Sequence, residues 1–105
     1  MADEPAGGFR LTPRAETDIE DIWRHGATEW SPDQADRYVD GLVAVFDLLC
    51  AMPRLARERP EFTPPVRIHP TGPHLIVHRI ADDHLDVLRV LGARQDWRKL
   101  LEDLE

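Results

Sequence analysis

The segment from Leu11 to Trp23 constrains this chain most, because it encodes the end of a strand and the start of a helix within a few residues. Thr12 suits an N-cap, and Pro13 suits the first helical position, where no N–H is required. Beyond the cap, Ala15, Ile19, Ile22, Trp23, Ala27 and Trp30 recur at spacings of three and four, while Glu16, Asp18, Glu20 and Asp21 occupy the other side. The spacing predicts a helix to about Glu29 with one core-facing stripe and one acidic face.

A second start signal follows at once. Ser31, Pro32 and Gln34 supply a cap, a first-turn proline and a capping-box partner. The new helix carries Ala35, Tyr38, Val39, Leu42, Phe46, Leu49 and Met52 on its stripe, and Pro53 ends it. Two helices with so short a link pack as an antiparallel hairpin. Arg54 to Pro65, rich in proline and arginine, reads as a surface loop with room for a turn of helix.

From Val66 the apolar period shortens to that of extended chain. Gly8–Leu11, Val66–His69, His74–Ile80 and Leu85–Leu91 read as strands, the last three forming an antiparallel meander. Both faces of that meander are apolar: Leu75 and Val77 point one way, Ile76 and Ile80 the other. One helical hairpin covers only one face, so the second needs the terminal segment or a partner chain. After Asp96 as N-cap, Trp97, Leu100, Leu101 and Leu104 share a face of a helix too short to stand alone in water. The fold class expected is therefore α+β: a helical hairpin on a small, mainly antiparallel twisted sheet, ordered β-α-α-β-β-β with a short C-terminal helix.

At 105 residues the chain has the size of one domain. The reading is a disordered tail over 1–7 and a single domain over 8–105. Charged residues interrupt every apolar run, and the expectation is a cytoplasmic protein with neither signal peptide nor membrane span. The lone Cys50 lies on the apolar side of the second helix and reads as a buried thiol. A formal net charge of -7 opposes direct nucleic-acid binding. The acidic excess lies entirely before Pro53, and the later half carries arginine in place of lysine, with Lys99 the single exception. Guanidinium forks of this kind suit carboxylates and phosphates.

Several short words, in order, carry a resemblance: Leu11 to Glu16 with Asp18, Ile19 and Trp23; Gln34 to Tyr38; Pro53 to Leu55; and Val90-Leu91 with Arg94, Asp96 and Trp97. Together they resemble the ParE toxins of type II toxin–antitoxin systems, a branch of the RelE/ParE superfamily, over about Phe9 to Leu101. Many relatives carry a histidine after the valine–leucine pair, where this chain has Gly92. The resemblance implies a toxin that inhibits DNA gyrase and is neutralised by a ParD-like antitoxin within a hetero-oligomer. It also implies that no cofactor is needed. A RelE-like, ribosome-dependent mRNA endoribonuclease and an inactive binding-module relative are the alternatives.

Cutting RNA requires a base, an acid and cations around the phosphate. The sheet segments contain arginines and His69 or His78 but neither lysine nor tyrosine, which favours a non-enzyme without catalytic residues. A metal site is not expected, because His74 and His78 on one strand stand about 13 Å apart at ~3.3 Å per residue. The candidate antitoxin-binding residues are Arg67, Leu75, Val77, Arg79 and Arg89, on a sheet face expected to lie partly bare. The candidate target-binding residues are Arg94, Trp97, Leu100 and Leu101, since the resemblance implies activity near this end.

Overall fold

The computed structural model describes residues 5–102. Thr12 Oγ1 accepts from the Ala15 amide at 3.1 Å, and α1 runs Pro13–Glu29. Ser31 Oγ accepts from the Gln34 amide at 3.1 Å, and α2 runs Pro32–Ala51. Both helices thus begin where the side-chain acceptors and first-turn prolines require. The strands are β1 Phe9–Leu11, β2 Glu58–Arg59, β3 Val66–Thr71, β4 His74–Ala81 and β5 His84–Gly92, and α3 spans Trp97–Leu101.

The sheet order is β1-β5-β4-β3-β2. β1 lies parallel to β5, and the other neighbours are antiparallel. The β3–β4 turn narrows to Gly72-Pro73 between the paired Thr71 and His74, with Gly72 at φ 54°. That positive φ costs glycine little, and such two-residue turns match the twist of the strands. β2 is an addition to the expected order. It forms inside the segment read as loop, where Glu58 and Arg59 pair with Arg67 and Val66.

Two apolar layers flank the sheet. On the inner side Ala15, Leu42, Phe46, Leu49 and Cys50 from the hairpin meet Ile76, Leu85, Val87 and Val90. Phe9 joins them, its ring edge-on to Phe46 at 5.2 Å. On the outer side Phe62, Val66, Val77, Leu88, Leu91 and Leu101 form a second cluster, bordered by Ile68, Trp97 and Leu100. The expected partly bare face is therefore closed by this chain itself, through Phe62 and α3. Leu104, expected on the terminal helical face, lies outside the described residues. The expected tail is anchored from Ala6, which packs against the inner layer and donates to the Cys50 carbonyl at 2.8 Å.

An extra residue in β5 makes this two-sided packing possible. Val77 pairs with Arg89 and His78 with Val87, so Leu88 is unmatched and the strand bulges. Val87 and Val90 consequently face inward while Leu88 and Leu91 face outward.

Candidate functional site

The stripe of α1 is buried only near its start. Ala15 is fully buried and Ile19 and Ile22 are half-buried, whereas Trp30 at the far end is 66% exposed. Trp23, expected on the core stripe, instead donates its indole N–H to Asp36 Oδ1 at 2.7 Å across the outside of the hairpin. The far end of the hairpin consequently leaves a groove of about 930 Å³ against the end of β5 and the β3–β4 turn. Its walls include Ile22, His25 and Gly26 from α1, Trp30 at its C-cap, Arg37 and Tyr38 from α2, and His74, Val90 and Gly92 from the sheet.

Tyr38 and His74 close one end of this groove. The Tyr38 hydroxyl and His74 Nδ1 are hydrogen-bonded at 2.6 Å, with the two rings tilted and 5.5 Å apart. Burial lowers the His74 pKa and raises that of Tyr38, so the imidazole stays neutral and the phenol keeps its proton. Each state is the one this hydrogen bond needs.

The opposite wall is the edge of β5. Here β1 stops pairing at Val87, and side chains take over from the neighbouring strand. Thr12 Oγ1 donates to the Leu88 carbonyl at 2.8 Å, Asp18 Oδ2 accepts from the Val90 amide at 2.9 Å, and Gln95 Oε1 accepts from the Gly92 amide at 2.7 Å. The same Asp18 carboxylate receives the Arg89 guanidinium at 2.8 and 2.9 Å. These hydrogen bonds raise the Arg89 pKa further.

The five sequence-derived antitoxin candidates do not form one open surface. Arg67 is buried and donates to the Ala56 carbonyl at 2.7 Å, fastening the segment before β2. Leu75 and Val77 are buried, Val77 completely, and Arg89 is held by Asp18. Arg79 is the exposed member, paired with Asp86 at 3.4 Å. The four target candidates share the end of the molecule formed by α3 and the turn before it, but not one environment. Leu101 is buried, Trp97 and Leu100 are half-buried, and Arg94 is exposed. The Trp97 ring lies 5.8 Å from the Arg59 guanidinium, 4.7 Å from that of Arg98 and 6.2 Å from Phe62.

His78, considered as a base, is inaccessible. It is completely buried, donates from Nδ1 to the Ile76 carbonyl at 3.1 Å, and leaves Nε2 without a partner among the described residues. Burial, with Arg67 and His69 nearby, pushes its pKa down to about 4. No group of three or more potential metal ligands occurs among the described residues. Sequence reading missed the Tyr38–His74 pair because Tyr38 counted simply as part of an apolar stripe. The only available signal was a polar-tipped aromatic there, which usually finds a hydrogen-bond partner when buried.

A helical hairpin backing a five-stranded mixed sheet, with a short helix closing its other face, defines an α+β fold of RelE/ParE type. Residues 9–97 match the model of the ParE toxin of type II toxin–antitoxin system, parDE, and the chain belongs to that family. It is 34% identical over 89 residues to Toxin ParE1 of Mycobacterium tuberculosis, covering 84% of this chain and 91% of that protein. To Toxin ParE1 of Caulobacter vibrioides it is 26% identical over 90 residues, covering 86% and 93% respectively. A solved chain of the chromosomal ParDE system from P. aeruginosa superposes with a TM-score of 0.68 at 22% identity. That match covers 81% of this chain and 94% of the solved one. No described helix is long and apolar enough to cross a membrane.

Proposed function

We propose that this ParE toxin acts in the cytoplasm by inhibiting DNA gyrase, and that a ParD-like antitoxin neutralises it in a hetero-oligomer by placing a flexible segment in the groove between the hairpin and β5. The groove carries this reading. It has an apolar wall and presents Trp30, Arg37 and Tyr38, the three residue types most enriched among interface hot spots. A segment that orders on binding can fill such a concavity. The sheet candidates lie outside the groove wall: Arg79 is exposed and paired with Asp86, Arg67, Leu75 and Val77 are buried, and Arg89 is held by Asp18.

Binding, not catalysis, is the proposed mode of action. Two of the sheet guanidiniums that could hold a phosphate, those of Arg67 and Arg89, are engaged by Ala56 and Asp18. The target contact is proposed at the α3 end, through Arg94, Trp97 and the exposed edge of Leu100, with Leu101 anchoring the helix. The test is gyrase supercoiling in vitro with the purified toxin, and again after adding the small protein encoded beside it. Inhibition relieved by that protein is expected. Intact supercoiling together with cleavage of mRNA at ribosomes would replace this reading with the RelE-like one.

A further inference from the structure

The outward face of α2 changes character along its length. Asp33, Arg37 and Asp40 occupy its first half, whereas Gly41, Ala44, Leu48 and Ala51 follow at alternating steps of three and four, with Leu55 one step past the helix end. All five are exposed, Leu48 at 42% and Leu55 at 44%, and Met52 beside them is 45% exposed. Leu42, Phe46, Leu49 and Cys50 point to the core from the other side of the helix, and the exposed row belongs to neither apolar layer. Single exposed apolar side chains are ordinary, but a continuous row at this spacing is a surface for packing another helix.

Gly41 adds an independent observation. Glycine is a poor helix former, yet Gly41 lies inside α2, and a Cβ there would meet no atom of the described chain within 4 Å. No neighbour within this chain requires the glycine. With Ala44 and Ala51 it leaves a shallow channel in which a second helix can approach closely.

The charges say which helix. Asp40 and Asp47 border the row, and Arg54 and Arg57 follow it, all of them exposed. Along this face the order is therefore acid, apolar, basic. A parallel copy would set acid on acid, whereas an antiparallel copy brings the arginines after each helix toward the acids of the other. We propose that two copies of this chain associate through α2, antiparallel about a two-fold axis at Leu48, with Gly41 facing the partner's Leu55 and Ala44 facing the partner's Ala51. The seam from Gly41 to Met52 is about 18 Å long at ~1.5 Å per residue, which places the association at the weak, transient end of interfaces. The groove residues of α2 run from Gln34 to Tyr38, so the dimer leaves the groove open and stands apart from its reading.

The experiment is sedimentation velocity on the full-length protein from about 10 μM to about 1 mM, the range of a weak interface. A monomer–dimer equilibrium is expected. Leu48→Glu sets two carboxylates at the axis and should weaken the dimer at least about tenfold, with the unfolding midpoint unchanged because the side chain is exposed. Asp47→Asn relieves the repulsion between the two copies of Asp47 beside the axis and should strengthen it about threefold. Orientation is read by oxidative cross-linking: Leu48→Cys should link to its own counterpart, and Gly41→Cys should not, because an antiparallel pair sets the two Gly41 positions about 21 Å apart at ~1.5 Å per residue. A protein monomeric throughout, a dimer indifferent to Leu48→Glu, or equal cross-linking of both cysteine variants overturns the dimer. Shielding of the Leu48→Cys thiol from alkylation only by the small protein encoded beside this one assigns the row to that protein and overturns it likewise.

Discussion

Asp18 of α1 and Arg89 of β5 are joined by a two-pronged ion pair, the guanidinium Nε and one terminal nitrogen lying 2.8 and 2.9 Å from separate carboxylate oxygens. Both side chains are largely shielded, at 13% and 14% exposure, and the carboxylate also receives the Val90 amide. Removing the acid leaves a cation and a main-chain donor unmatched together. Asp18→Ala should therefore cost about 3 kcal/mol in urea unfolding. In a double-mutant cycle with Arg89→Ala the two losses should not add.

Stability should fall on acidification. An unfolded His78 titrates near its ordinary 6.5, whereas the folded one is held down at about 4. Between these values the unfolded chain binds more protons, so stability is full above pH 6.5 and declines as the pH falls, levelling off below about 4. The loss should reach about 3 kcal/mol, at 1.36 kcal/mol per unit. His74, lowered by burial, acts in the same direction. Denaturation midpoints from pH 7 to 4 check this, and His78→Leu should flatten the curve.

The α3 docking site is hydrophobic and separable from the residues exposed beside it. Leu101→Ala removes a side chain that is 1% exposed and packed with Val77, Leu88 and Leu91, and should cost about 2–4 kcal/mol. Arg94→Ala lies on the surface and should leave unfolding within about 0.5 kcal/mol of the parent. If α3 serves the target as proposed, Arg94→Ala nevertheless weakens gyrase inhibition. Unfolding and supercoiling measured on both variants distinguish packing from contact.

At the closed end of the groove, Tyr38→Phe keeps the ring and deletes the hydroxyl that meets His74. Stability should drop by about 1 kcal/mol, the net worth of a typical hydrogen bond. The larger readout is partner affinity, because the groove wall loses its fixed shape. Titration calorimetry against the co-expressed partner should show weaker binding.

Arg79 provides the contrasting case. Its pair with Asp86 is half-exposed, and Arg79→Ala should change stability by less than about 0.5 kcal/mol. Reduced co-purification of the partner would mark it as an interface residue. Unchanged co-purification would remove it from the proposed surface.

The local grammar of this fold was legible. Thr12-Pro13 and Ser31-Pro32 announce both helices, and the shift to strand periodicity at Val66 announces the meander, because caps and periods act over a few residues. The site was much less so. Asp18 looked like one more acid on a solvated face, and nothing local distinguishes it from Glu16 or Glu20; its partner Arg89 is 71 residues away. The bulge at Leu88 and the pairing of Glu58-Arg59 with β3 likewise depend on register, which sequence pattern specifies weakly where both faces of a strand are apolar. The groove is a difference in how deeply two ends of one helix are buried, and a uniform stripe from Ala15 to Trp30 conceals it.

Because Phe62 and α3 seal the outer sheet face, both layers of the core are completed within a single polypeptide. The free chain is therefore expected to remain folded without a partner. If the proposed antitoxin fills the groove, the fold of this chain does not depend on it, and the lifetime of such a complex is set by the segment that orders on binding.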